Sequence, residues 1–149
     1  MKGTELAGRR RAAGLTQQRL AELSGLKQSN LSAYETGRRV ITEAVARRLE
    51  PFLQVTPSQA LAANRRQILR VAAEHGAQDV RVFGSVARGE DTADSDLDLL
   101  VTMGPDATIF DLAELRELIA GIAGVAVDLV SAGGLLPRHR GILSQAVPV

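Results

Sequence analysis

The sequence predicts two domains of different class, an all-α bundle followed by an α/β unit on a small mixed sheet. Three observations predict this. The first 60 residues carry ten Lys and Arg against five Glu, a net of +5, and the remainder eight Arg against twelve acids, a net of −4. The near-neutral total of +1 therefore conceals two oppositely charged halves, the basic one suited to a polyanion. In the basic half, short helical patterns are separated by turn signals; in the acidic half, runs of period two alternate with helical stretches. At 149 residues the chain has room for two modest cores and no more.

In chain order, helices are expected over 6–13 up to a break at Gly14, over 16–23 up to a Ser24-Gly25 turn, and over 28–35 up to a stop at Gly37. A fourth is expected over 42–50, ahead of Pro51. Leu15, Leu20, Leu23, Leu26, Leu31 and Tyr34 supply the apolar positions. Residues 15–37, LTQQRLAELSGLKQSNLSAYETG, resemble the helix-turn-helix of the phage-repressor (Cro/C1, or XRE) family. The features that carry this are Thr16-Gln17 opening a helix, Ala21 and Gly25 at a tight crossing, Leu31 in the core and the Tyr34-Glu35-x-Gly37 ending. The resemblance implies that the helix starting near Gln28 enters the major groove. Gln28, Ser29, Asn30 and Ser32 are then the base-reading candidates, and Gln17, Arg38 and Arg39 are placed for backbone phosphates. Arg47 and Arg48 lie far from that face and read as surface charges. Dimerisation through this domain is expected from the palindromic sites such readers use.

Pro51, Pro57 and the stretch QVTPSQ mark a boundary, giving a DNA-binding domain over 1–57 and a second domain over 58–149. Residues 58–74 read as a helix with Leu61, Ile68, Leu69 and Ala72 on one stripe. With no Gly/Ser tether, this helix is expected to belong partly to both domains and to fix their orientation.

Beyond it, Asp79-Val80-Arg81-Val82-Phe83 alternates as a strand, and Leu97, Leu99 and Val101 alternate with Asp96, Asp98 and Leu100. Between them lies GSVARGEDTADSDLD, a Gly-Ser pair, ten residues, then Asp-x-Asp. Period-two geometry puts Asp96 and Asp98 on one face of the second strand, about 7 Å apart. Two carboxylates aimed the same way suit Mg²⁺, which takes one or two carboxylates together with substrate phosphates and water. Gly84 allows close approach of a phosphate, and Ser85 is expected to cap the short turn that follows. In a third strand, Val125, Val127 and Leu129 face one way and Asp128 the other. An amphipathic helix over 107–122 and a short last helix over 137–146 complete the α/β pattern. An acidic surface loop is the plain alternative; the Gly-Ser pair, the flanking strands and Asp128 weigh against it.

These residues resemble the nucleotidyltransferase superfamily with a DNA-polymerase-β-like palm, and more narrowly its minimal nucleotidyltransferase branch, over roughly 64–149. The resemblance implies transfer of a nucleoside monophosphate to a hydroxyl, with ATP as substrate and two Mg²⁺ ions. It makes Asp96 and Asp98 ligands of both ions and Asp128 the second-metal ligand and base. Gly84, Ser85 and Arg88 then contact the nucleotide. Minimal nucleotidyltransferases are typically antitoxins paired with a HEPN-type ribonuclease toxin. The implied function is thus a type VII-like antitoxin that adenylylates a toxin tyrosine and represses its own operon, either as a homodimer or in a hetero-oligomer with the toxin. A nucleotide-binding repressor or steric antitoxin without catalysis, and a small-molecule nucleotidyltransferase, remain as alternatives. Zero Cys and only His75 and His139 exclude a Cys/His zinc site, and no apolar run has membrane length, so a cytoplasmic protein without membrane contact is expected. The interval from Arg70 to His75 matches a loose Arg-x4-His toxin pattern by chance.

Overall fold

Four threonines begin four of the helices. The hydroxyls of Thr16, Thr42, Thr56 and Thr108 accept from the backbone N–H of Arg19, Val45, Gln59 and Asp111, so a donor with no intrahelical partner is satisfied at each start. Gln59 and Asp111 return the bond to the cap backbone, forming capping boxes. Gly25 and Gly124, both left-handed, end two of these helices.

The computed structural model describes residues 1–134 and 140–149. The first half holds α1 (Gly3–Ala12), α2 (Gln17–Ser24), α3 (Gln28–Glu35) and α4 (Glu43–Leu49), followed by a 3-10 turn, Glu50–Phe52. Leu6, Leu20, Leu31, Leu49 and Leu53 are fully buried in its core with Ala21 and Tyr34. Leu23, expected in that core, is 38% exposed. The buried stripe of α2 runs through Leu20, Ala21 and Ser24, and Leu23 lies about 100° round the helix from its centre.

The second half holds α5 (Pro57–Glu74), β1 (Ala77–Phe83), α6 (Gly84–Arg88), β2 (Leu97–Met103) and α7 (Ile109–Ala123). It closes with β3 (Val127–Ser131), a 3-10 turn at Ala132–Gly134, α8 (Arg140–Gln145) and β4 (Val147–Pro148). Of the last helix expected over 137–146, residues 137–139 lie outside the described residues. The sheet order is β3-β2-β1-β4, with β2 and β3 parallel and the other pairs antiparallel. Helix α7 is the crossover that a parallel pair requires. Ile68 and Ala72 of α5 and Leu115 and Ile119 of α7 pack with Leu97, Leu99 and Val101 of β2 in one core. The alternation expected through 79–83 is broken: Asp79 has φ +54° and the register shifts between Gln78 and Arg81. Asp is among the few residues that adopt this conformation readily, and it pairs here with Arg81.

Helix α1 touches both cores, Leu6 in the first and Ala12 against the second. Its contact with α7 is made backbone to backbone. A β-carbon at Gly8 would stand 2.1 Å from the Ile122 carbonyl oxygen, and one at Gly124 would stand 2.4 Å from Arg9 Cγ. Three consecutive arginines then fasten α1 in three directions. Arg9 donates to Glu50 and the Leu53 carbonyl, Arg10 to Glu35 and the Leu15 carbonyl, and Arg11 to Asn64 Oδ1 of α5 at 2.9 Å. None of the described helices is long and apolar enough to cross a membrane.

Candidate functional site

Register brings the site together. Asp98 on β2 pairs with Phe83, the last residue of β1, on one side and with Asp128 of β3 on the other. Adjacent strands lie about 4.8 Å apart, so the two carboxylates are neighbours. Gly84 follows Phe83 with φ +68°, and a β-carbon there would stand 2.1 Å from Asp98 Oδ2. The glycine is therefore the space in which the Asp98 carboxylate lies.

Asp96 was expected on the strand; β2 begins one residue later, at Leu97, and Asp96 stands exposed just before it. Its charge still reaches Asp98. Burial pushes the Asp98 carboxyl above its ordinary range, Asp128 and then Asp96 push it further, and Arg88 draws it back. No three His, Cys, Asp or Glu side chains among the described residues form a ready-made metal cage. The donor set nonetheless fits a hard divalent cation, because Mg²⁺ is usually held by one or two carboxylates and completes its shell with phosphate and water.

Ser85 was expected to cap the turn after Gly84; the cap position of α6 is Phe83 and no side chain caps it. Ser85 is instead the second residue of that helix, in a first turn whose amides have no intrahelical acceptor. Arg88 ends α6 and donates to Glu90 at 2.9 Å. The loop from Glu90 to Asp96 is braced. Glu90 N–H donates to the Ser85 carbonyl, Thr92 N–H donates to Ser95 Oγ, and Asp91 accepts from Ser58 N–H of α5 at 2.8 Å. Sequence reading missed Asp91, since its partner is 33 residues away and no local pattern marks the pair.

On the helix-turn-helix, Gln28 and Ser29 are exposed at the start of α3, and Asn30 and Ser32 are half-buried. Asn30 Oδ1 accepts from Arg39 at 2.7 Å, and the Arg39 guanidinium lies 5.6 Å from the Tyr34 ring centroid. Arg38 donates to Thr36 Oγ1 at 3.0 Å. Gln17 accepts from Gln28 and donates at 2.8 Å to Glu35, which Arg10 holds in a bidentate, largely buried pair. Arg48, read as a surface charge, donates to the Ser24 and Gly25 carbonyls and secures the α2–α3 turn. Arg47 pairs with Glu43 on the exposed side of α4.

A chain with this strand register and an N-terminal helix-turn-helix fits one class, and comparison with known proteins agrees. The chain belongs to the nucleotidyltransferase domain family, which matches residues 65–147, and residues 3–63 match a helix-turn-helix domain. A Methanocaldococcus jannaschii protein assigned to the protein adenylyltransferases is 33% identical over 86 residues, 57% of this chain and 92% of that one. The protein adenylyltransferase MntA of Thermococcus cleftensis is 38% identical over 60 residues, 40% of this chain and 61% of that one. Among solved structures, one described as a minimal nucleotidyltransferase is 49% identical with a TM-score of 0.56, over 62% of this chain and 95% of that one. A toxin–antitoxin structure with AMP-PNP has a TM-score of 0.52 at 22% identity, over 57% of this chain and 71% of that one, and shows the shared fold.

Proposed function

We propose that the protein transfers AMP from ATP to a tyrosine hydroxyl of a partner protein, a HEPN-type ribonuclease toxin. On this reading, residues 1–57 bind operator DNA and autoregulate the pair, residues 58–149 carry the chemistry, and both act in the cytoplasm. The observation that carries the chemistry is the cross-strand pair of Asp98 and Asp128 beside Gly84, with Asp96 at the head of the strand. That the relatives are protein adenylyltransferases by name supports a protein acceptor.

Asp96 and Asp98 would hold two Mg²⁺ ions, with Asp128 as a further ligand of one. Bound there, the ions would lower the pKa of the attacking hydroxyl and steady the departing pyrophosphate. The acceptor oxygen forms its bond to the α-phosphorus as the bond to pyrophosphate breaks. Asp128, exposed on the edge strand, accepts the acceptor's proton. Gly84 and the first-turn amides of α6 receive phosphate oxygens, and Arg88 exchanges Glu90 for the triphosphate. Gln28, Ser29, Asn30 and Ser32 face bases, while Gln17, Arg38 and Arg39 position the duplex.

Intact mass spectrometry of the partner after incubation with this protein, ATP and Mg²⁺, beside Asp96→Asn and Asp98→Asn, tests the reading. Whole AMP units added by the wild type and absent with either variant are expected. A partner silenced without added mass would replace it with steric neutralisation by a nucleotide-binding repressor.

A further inference from the structure

Two depressions meet at the Gly124–Ala126 link between α7 and β3. The smaller, of about 410 Å³, has Arg9, Glu50 and Gln54 of the helix-turn-helix half on one wall and Asp94 and Asp96 on the other. The larger, of about 720 Å³, runs between the start of α1 and the outer side of α7. Leu118, Gly121 and Ile122 line its floor and Glu5, Glu114 and Glu117 its rim. Gly124, Val125 and Ala126 line both. The two depressions thus adjoin along this link and form a groove that has Asp96, at the head of β2, in the lining of its smaller end.

We infer that this groove seats the protein substrate, as a polypeptide segment with apolar side chains and Lys or Arg beside its acceptor hydroxyl. The inference rests on the transfer reading above and names where and by what chemistry the acceptor binds. Charge selects the occupant. Glu5, Glu50, Asp94, Asp96, Glu114 and Glu117 line it with Lys2, Arg9 and the Met1 amino group; Arg9 is bound to Glu50 and Arg116 to Glu117, which leaves the acidic excess at Glu5, Asp94, Asp96 and Glu114. Such an excess repels a nucleic acid and attracts a cationic segment. The floor is apolar, with Leu118 and Ile122 along it, and suits apolar side chains. Thr4, Glu5 and Arg9 of α1 line it with Glu50 and Gln54, so the helix-turn-helix half supplies one wall of the acceptor site.

The test is fluorescence anisotropy of two short labelled tyrosine peptides, one flanked by Leu and Arg and one by Leu and Glu, titrated with the full chain. The wild type is compared with Glu114→Lys/Glu117→Lys and with Glu74→Lys, an exposed reversal on α5 outside the groove. The basic peptide is expected to bind and the acidic one not. The double variant should weaken binding at least about tenfold, and Glu74→Lys should leave it within about twofold. Thermal melting establishes that the double variant is folded. Failure of the basic peptide to bind, equal binding of both peptides, or full affinity in the folded double variant would overturn the proposal. The same mixtures with ATP and Mg²⁺ separate the two readings. Charge-sensitive binding without added AMP removes transfer and keeps the groove, whereas AMP addition indifferent to the reversal removes the groove and keeps transfer.

Discussion

Gly84 and Asp98 occupy one space, and substitutions at the two positions should move stability in opposite directions. A β-carbon at Gly84 meets Asp98 Oδ2 at 2.1 Å on a backbone with φ +68°. Gly84→Ala is expected to cost roughly 1–2 kcal/mol from the left-handed conformation alone and to displace the carboxylate, lowering both the melting temperature and AMP transfer. Asp98 differs because burial, Asp128 and Asp96 all raise its pKa in the fold. A carboxyl with a raised folded pKa binds more protons folded than unfolded, so stability falls as pH rises from the ordinary carboxylate value through the raised one. At neutral pH the ionised Asp98 works against the metal-free fold. Asp98→Asn should therefore melt no lower than the wild type by calorimetry while losing transfer by about 100-fold or more. Period-two alternation made Asp98 and Asp128 each legible on the side of its own strand opposite the apolar residues, and the register then pairs them. The contact with Gly84 was not legible, because it depends on how β1 and β2 pair.

Elements read well from the sequence wherever their signals are local. Thr16, Thr42, Thr56 and Thr108 each stand at a helix start, and Gly25 ends α2 as the Ser24-Gly25 turn predicts. What joins one element to another was hidden, since Arg48 finds the Gly25 carbonyl 23 residues away and Asp91 finds Ser58 across 33. Asp91 gives the second case a measurable consequence. Burial alone would raise its pKa, but hydrogen bonds from Ser58 N–H and hydroxyl, its own backbone and the Thr56 hydroxyl outweigh that and hold it below the ordinary value. A depressed carboxyl stabilises the fold above its unfolded pKa and loses that contribution as pH falls through the folded value. Asp91→Ala should lower stability by about 1 kcal/mol at pH 7, and denaturant titrations should show the gap closing below about pH 4. At α3 the expectation concerns recognition. Gln28 is exposed at the helix start, and Gln28→Ala should weaken operator binding by about tenfold in gel-shift titrations without altering transfer.

At the scale of the whole molecule, composition separated the two halves correctly and misassigned the purpose of part of the charge. Arg9, Arg10 and Arg11 contribute to the +5 that suggests a polyanion, yet each is directed inward to Glu50, Glu35 or Asn64. A charge count carries no information about direction; that follows from α1 lying between the two cores, a long-range arrangement. Gly8 is the tightest point between α1 and α7, with Ile122 carbonyl oxygen 2.1 Å and Ala123 carbonyl carbon 3.0 Å from where a β-carbon would be. Backbone on the far side cannot swing away as a side chain does, so Gly8→Val must lift α1 from α7 at a cost of about 1–3 kcal/mol. The wild type, its halves locked together, should unfold in a single calorimetric transition. Gly8→Val should resolve into two, with new proteolytic cleavage between Leu53 and Thr56, where the chain passes from one half to the other. A single transition shifted downward would show instead that the Arg11–Asn64 hydrogen bond holds the halves together without the helix contact. Arg11→Ala added to Gly8→Val would then be required to separate them.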